Sequence, residues 1–141
     1  MRIAVGSDHA GLELKAAIAD HLRAAGHAID DLGTHDRASC DYPDFAKAVA
    51  GRVAAGEADR GVLVCGTGQG MAMAANRVPG VRAAVVSDTF SARAVMAHND
   101  ARVLCLGQRV TGGGLALDIV DAWLGTAFEG GRHAARVHKI G

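Results

Sequence analysis

The sequence predicts an α/β protein in which a mostly parallel sheet of about five strands lies between two layers of helices. Short apolar runs alternate along the whole chain with longer segments whose apolar residues recur at helical spacing. This order implies right-handed crossovers, and therefore a three-layer, doubly wound, Rossmann-like sheet. Half of the 141 residues are hydrophobic and only 4% are aromatic, which suits a single domain, residues 1–141, and argues against disorder.

The first half of the chain supplies two strands, at residues 3–5 and 28–32, and two helices. Apolar residues at every fourth position predict the first helix over residues 12–25, and a glycine follows it as a stop. Pro43 suits the first turn of the second helix, whose periodic pattern ends at Gly56.

The second half supplies three more strands and three more helices. Ser87 or Asp88 can cap the second of these helices, with Phe90, Ala94 and Ala97 on its inner face. The strands are expected at residues 62–64, 83–86 and 103–106, and the first and third helices at residues 71–76 and 115–124.

Charge and cysteine usage exclude several classes of protein. Lys plus Arg is 15 and Asp plus Glu is 15, so the formal charge gives no support to a nucleic-acid or membrane-surface role. The N-terminal apolar run is too short for a signal peptide, and no run approaches the roughly 18–20 apolar residues of a membrane span. Three cysteines without a CxxC spacing are typical of cytosolic thiols. We therefore expect a cytoplasmic protein without a disulfide framework.

Polar and glycine-rich segments follow four of the predicted strands. Ligands of doubly wound sheets bind at the carboxyl ends of the strands, so these segments are expected to converge on one edge. The segment CGTGQG at residues 65–70 can point several N–H groups at an anion, or can form only a tight turn. It lacks GK[ST] and does not follow the first strand, so neither a P-loop nor a dinucleotide site is favoured. The four segments are residues 8–9, 65–70, 87–88 and 107–109.

Cys65 lies at the end of the third strand, beside this glycine loop. A free cysteine is often a small buried hydrophobe, and Cys105, between two leucines in a strand, fits that description. The position of Cys65, next to glycines and a helix N-terminus, is one that favours a reactive thiolate. Cys65 could therefore be a nucleophile, a general base, or a packed strand residue.

Histidines and arginines supply further candidates. His9 and His98 lie in segments where chemistry is expected, and no HExxH motif or close His/Cys cluster indicates a metal. In the basic C-terminal tail, Arg132 and Arg136 are four residues apart, so one helical face could present both to a phosphate. A solvated basic tail explains these two arginines equally well.

Six motifs, taken together and in order, resemble those of type B ribose-5-phosphate isomerases, a family that includes the galactose-6-phosphate isomerase subunits. The resemblance covers nearly the whole chain, and the family's Rossmann-like fold agrees with the sheet predicted above. The motifs are GSDHAG at 6–11, DYP at 41–43, CGTGQGMAMAANR at 65–77, HND at 98–100, GQRV at 107–110 and EGGRHAARV at 129–137.

The resemblance implies an aldose–ketose isomerase that uses no metal and no other cofactor. Cys65 is implied to be the base that takes the proton next to the carbonyl and so gives a cis-enediolate. The backbone amides of Gly66, Gly68 and Gly70, together with Thr67, would stabilise the enediolate oxygens.

The resemblance also implies roles for the remaining site residues. His98 would open the furanose ring with help from Thr67, and Asp8 would move protons among the sugar hydroxyls. Members are dimers, or dimers of dimers, whose active sites draw residues from both subunits, so the C-terminal tail would lie at an interface. The substrate-contacting positions are Tyr42 and Asn99, and the phosphate-binding positions are His9, Arg109, Arg132 and Arg136.

Two questions stay open at this point, the base and the substrate. Some members lack the cysteine and carry a glutamate base on the following helix, where this chain has Met71, so thiol catalysis is favoured. The favoured reaction converts D-ribose 5-phosphate to D-ribulose 5-phosphate. The same chemistry on allose 6-phosphate, galactose 6-phosphate, a tetrose phosphate or a free sugar is the nearest alternative. A non-catalytic phosphate-binding module, for which Cys65 would be dispensable, and a redox thiol are alternatives of another class.

Overall fold

A five-stranded parallel sheet and six α-helices make up the protein, whose computed structural model describes all 141 residues. The strands are β1 (Arg2–Ser7), β2 (Ala28–Asp31), β3 (Arg60–Cys65), β4 (Ala83–Val85) and β5 (Val103–Gly107). The helices are α1 (Leu12–Ala24), α2 (Tyr42–Ala54), α3 (Gln69–Ala75), α4 (Thr89–Asn99), α5 (Gly113–Leu124) and α6 (Arg132–His138). The strand order is β2-β1-β3-β5-β4, which confirms the doubly wound sheet. None of the helices has the length and apolarity needed to cross a membrane.

Each face of the sheet carries its own core because successive side chains of a strand point to opposite faces. On β3, Val62 and Val64 pack with α1, α4 and α5, where Trp123 is fully buried. Leu63 and Cys65 pack on the opposite face with α2 and α3. The central strands are therefore covered on both sides, which explains their continuous apolar runs. The side chain of Cys65 consequently points toward α2 and α3.

A buried ion pair connects α1 to the loop that follows β2. Lys15 is only 2% exposed, and its Nζ lies 2.7 Å from a carboxylate oxygen of Asp31. The same ammonium group donates to the Thr34 carbonyl, and the same Asp31 oxygen accepts from the Gly33 N–H. Ser7 exchanges backbone hydrogen bonds with Gly33 and Thr34, so the start of this loop is held against the end of β1.

Two parts of the chain differ from the sequence prediction. The predicted inner face of α4 is wrong at Phe90, which is 75% exposed, whereas the helix buries Ala92 and Met96 together with the predicted Ala97. Both sets of residues recur at helical spacing, so periodicity alone could not choose between the two faces. The predicted cap is confirmed, since the Asp88 carboxylate accepts from the Ser91 N–H. The basic tail contains a helix, α6, which packs on α4.

A pair of glycine substitutions tests the packing between the first turn and β3. A Cβ on Gly11 would lie 2.4 Å from the Val64 carbonyl oxygen, so we expect Gly11→Ala to lower the free energy of unfolding by about 1–3 kcal/mol. A Cβ on Gly51, inside α2, would meet no atom within 4 Å. We expect Gly51→Ala to raise stability by about 0.4–1 kcal/mol, because alanine restricts the unfolded chain and favours helix. Urea denaturation of both variants measures these changes, and equal effects would contradict the packing described.

Candidate active site

The carboxyl ends of three neighbouring strands meet at the predicted edge. Ser7 of β1 lies beside Val64 of β3, and Cys65 of β3 lies beside Gly107 of β5. The segments that follow these strands therefore share one edge of the sheet. Of the thirteen predicted site residues, the structure brings nine together there. They are Asp8, His9, Tyr42, the loop from Cys65 to Gly70, and Arg109.

Cys65 is held by the glycine loop that it begins. The thiol is buried, with the residue 6% exposed, and its Sγ accepts a hydrogen bond from the Gly68 N–H at 3.1 Å. Gly68 adopts a left-handed conformation, φ +82°, which a side chain would strain. This conformation lets the loop fold back on the sulfur. An N–H donor at this distance stabilises negative charge on the thiol.

The glycine loop rests directly on the end of β5. A Cβ on Gly107 would lie 2.7 Å from the backbone of Thr67, so the two segments approach closer than any side chain allows. The Gln108 N–H donates to the Cys65 carbonyl at 2.9 Å, and the Arg109 N–H donates to the Gly66 carbonyl at 3.0 Å. The loop is therefore fixed by backbone contacts before any substrate binds.

Asp8 is fixed in the turn that follows β1. Its carboxylate accepts from the N–H groups of Ala10 and Gly11, and its own N–H donates to the Val64 carbonyl. The residue is 7% exposed. Asp8 therefore lies beside the end of β3, where it is hydrogen-bonded to Val64, the residue before Cys65.

His9 has a defined donor nitrogen. The Cys40 N–H donates to His9 Nδ1 at 3.3 Å, so Nδ1 is the acceptor and a neutral ring carries its proton on Nε2. The Nε2–H group is then available to an anion even when the ring is uncharged. The loop before α2 supplies this contact, which the sequence did not indicate.

Tyr42 and Arg109 flank the glycine loop. A Cβ on Gly70 would lie 2.6 Å from the Tyr42 ring, so the ring rests on this glycine. The Arg109 side chain lies against Gly66, with 3.5 Å between its Cδ and a Cβ built there. Both side chains therefore border the loop.

The other four predicted site residues lie at the opposite, amino edge of the sheet. Arg82 immediately precedes β4, and its Nε donates to the Asn99 carbonyl at 2.9 Å. His98 and Asn99 end α4, which runs back from the carboxyl edge before β5 begins. The length of β5 alone separates the two edges by roughly 13 Å. The residues concerned are His98, Asn99, Arg132 and Arg136.

His133 is a residue of this second group to which the sequence motifs assigned no role. Its ring stacks on that of His98, with 4.3 Å between ring centroids and 13° between planes. It is 7% exposed, and burial lowers its pKa, as do the charges of His98 and Arg132, while Glu129 acts in the opposite direction. The EGGRHAARV motif contained His133, but only the packing of α6 on α4 reveals the stack.

One group of three metal-ligating side chains occurs in the structure. One ligand atom each from His98, Glu129 and His133 lies within 4.8 Å of the others. A metal bound by imidazole lies in the ring plane about 2 Å from the nitrogen. The two rings here are nearly parallel, so their lone pairs do not converge on one ion. The geometry fits a ring stack and not a metal centre.

Cys105 behaves as the packed residue that was expected. It is fully buried in β5, and desolvation raises the pKa of its thiol. Cys40, which is partly exposed, has its Sγ 3.8 Å from His9 Nδ1. The three thiols are free, so none of them forms a disulfide within the chain.

Comparisons with known proteins agree with the fold. The sequence model of the family described as Ribose/Galactose Isomerase matches residues 3–140. Ribose-5-phosphate isomerase B of Escherichia coli is 50% identical over 139 residues, which are 99% of this chain and 93% of that protein. D-erythrulose-4-phosphate isomerase of Pectobacterium atrosepticum is 43% identical over 142 residues, which are 100% of this chain and 93% of that protein.

A solved structure gives the same result. Ribose-5-phosphate isomerase B of Clostridium thermocellum superimposes with a TM-score of 0.99 and 56% identity, covering 100% of this chain and 95% of that one. The chain therefore belongs to the ribose/galactose isomerase family. It is an isomerase, and the resemblance that its six motifs carry is confirmed.

Proposed function

We propose that this chain interconverts D-ribose 5-phosphate and D-ribulose 5-phosphate through a cis-enediolate, with Cys65 as the base. The observation that carries the proposal is the Cys65 sulfur at a strand end, hydrogen-bonded to the Gly68 N–H inside a loop that backbone contacts hold rigid. The two relatives described above are named as isomerases of sugar phosphates, and these names support a sugar phosphate as the substrate.

The proposed reaction moves one proton between adjacent carbons of the open-chain sugar. The Cys65 thiolate takes the proton from C2, and the electron pair of that bond shifts to give an enediolate with charge on O1. A proton passes from O2 to O1, and the Cys65 thiol then returns its proton to C1. The N–H groups of the glycine loop stabilise the charge as it develops, without reorganising. A single base that reaches both C1 and C2 can carry out both proton transfers, removal from C2 and return to C1.

The phosphate is proposed to bind to His9 and to arginines. The Nε2–H of His9 and the guanidinium of Arg109 belong to the edge that carries Cys65. Binding the remote phosphate there orients the reacting carbons over the thiol. The guanidinium groups of Arg132 and Arg136 are exposed at the other edge and reach this phosphate only from another chain.

A second copy of the chain is therefore proposed to complete each site. In a symmetric dimer, one edge of each subunit faces the other edge of its partner, so two identical composite sites form together. A groove of about 320 Å³ beside His98 extends to the exposed Phe90, and this uncovered apolar surface is what an interface would bury. His98 of one subunit would then protonate the ring oxygen of a furanose bound at Cys65 of the other. The C1–O4 bond breaks, and the 1-hydroxyl proton leaves through Thr67.

A four-carbon ketose phosphate is the second candidate substrate. The Pectobacterium relative, 43% identical over the whole chain, is named for D-erythrulose 4-phosphate. The same base and loop serve either sugar, since the reacting carbons are the same. The loop from Gly33 to Tyr42 and the region around Arg109 are expected to set the chain length that fits.

Replacing the proposed base tests the mechanism. We expect Cys65→Ala to lower kcat for D-ribose 5-phosphate by at least about 10²-fold, because proton transfer loses its base. Binding of the sugar phosphate, measured by calorimetry, should change little. Cys105→Ala is the matched control, since that thiol is fully buried within β5, and it should keep kcat near the wild-type value. Activity of the wild type should also persist in excess EDTA. A fully active Cys65→Ala variant would exclude the thiol mechanism.

Mixing two inactive variants tests the shared site. Cys65→Ala and His98→Ala are each expected to be inactive on D-ribose 5-phosphate, because each loses one half of both sites. In each mixed dimer, one site of two receives both wild-type side chains. Random pairing makes about half of the co-expressed dimers mixed, so about a quarter of wild-type activity should return. Native mass spectrometry gives the fraction of mixed dimers. Mixed dimers that form but stay inactive would contradict composite sites.

An activity panel identifies the substrate. The aldose and ketose phosphates of four, five and six carbons are compared, each with its unphosphorylated sugar. We expect the highest kcat/KM for the five-carbon pair and a loss of at least about 10²-fold without phosphate, because remote binding energy no longer positions the substrate. A preference for the four-carbon pair would favour the second candidate, and equal activity on free sugars would argue against the phosphate site.

A further inference from the structure

The rings of His98 and His133 stack at the edge of the sheet opposite Cys65. The rings lie 4.3 Å apart between centroids and 13° from parallel. His133 is 7% exposed, and its Nε2 is buried without a hydrogen-bond partner. A carboxylate oxygen of Glu129 lies 3.5 Å from that nitrogen. The ring of His98 is therefore the aromatic partner of this buried side chain.

The backbone fixes His133 in this position. The Glu129 N–H donates to the Ala97 carbonyl at 2.9 Å, which attaches the chain before α6 to the last turn of α4. Gly130 and Gly131, both at positive φ, turn the chain into α6, and the His133 N–H donates to the Gly130 carbonyl. A ring held in this way presents a constant face to His98.

The surroundings of His133 favour its neutral ring over the protonated one. Burial lowers the pKa of His133, and His98, Arg132 and Arg136 lower it further, whereas Glu129 raises it. A neutral aromatic ring attracts a cation over its face, so the stack tolerates a protonated His98 where two imidazolium rings would repel.

We propose that His133 is a positioning residue, whose ring fixes the plane of the His98 imidazole so that its proton points at the sugar ring oxygen. This inference rests on the proposed role of His98 in opening the furanose ring. In this proposal His133 acts only through His98 and does not touch the substrate. The isolated His98 side chain could rotate about two torsions, and proton transfer to the ring oxygen needs one orientation. Holding that orientation is worth about 10–100-fold in rate.

The test separates ring opening from enolisation. D-ribulose 5-phosphate cannot close a furanose ring, because the phosphate occupies O5, so deuterium exchange at its C1 in D₂O reports Cys65 chemistry without ring opening. NMR follows this exchange, and a coupled assay follows isomerisation of D-ribose 5-phosphate. For His133→Ala we expect isomerisation to fall about 10–100-fold. The exchange rate and the KM for D-ribulose 5-phosphate should stay within about twofold of wild type.

Two further variants complete the design. His133→Phe restores an aromatic face without a titrating nitrogen, and it should recover most of the isomerisation rate. His138→Ala removes an exposed histidine of the same helix, and both rates should stay at the wild-type level.

The outcomes that overturn the inference are distinct from those that overturn the proposed function. Equal losses of isomerisation and exchange in His133→Ala, or a raised KM for both sugars, would assign His133 only to holding α6 and its arginines. An unchanged isomerisation rate in His133→Ala would also overturn the inference. A wild-type protein that neither isomerises nor exchanges these sugars would overturn the proposed function, and the inference with it.

Discussion

The close approach of backbone to backbone around the end of β3 is the constraint on which the site depends. A Cβ on Gly11 would lie 2.4 Å from the Val64 carbonyl, and one on Gly107 would lie 2.7 Å from the Thr67 backbone. Gly68 adds a left-handed turn that directs its N–H to the Cys65 sulfur. Because backbone atoms meet directly at these contacts, the loop is held firmly against the ends of β3 and β5. Rigid N–H donors are what stabilise a developing anion at low reorganisation cost.

The second constraint is the direction of α4, which returns from the carboxyl edge of the sheet to the amino edge. It carries His98 and Asn99 away from Cys65, and the contact of α6 with its last turn brings Arg132 and Arg136 to the same place. A single chain therefore contains both halves of the proposed site but cannot join them. This separation makes a second copy part of the chemistry in our proposal.

The sequence predicted much of the fold and part of the site. Apolar runs located all five strands, and the glycine loop with Cys65 located the carboxyl-edge group. Periodicity failed at α4, where Phe90 and Met96 offered two helical faces of similar apolar character and only packing against α5 could choose. The tail composition left a solvated segment and a helix equally plausible. His133 was invisible as a functional residue, because its significance lies in a contact with His98, 35 positions earlier in the chain.

The sequence by itself determined the local chemistry, a thiol at a strand end beside a glycine loop. It also determined an order of strands and helices that leaves little choice of topology. These features depend on residues close together in the chain, and the physics of a strand end or a tight turn is local. Tertiary structure alone decided which edge each side chain occupies, which nitrogen of His9 donates, and which ring covers His98. Those properties depend on distant segments meeting, and a linear pattern contains no distance between them.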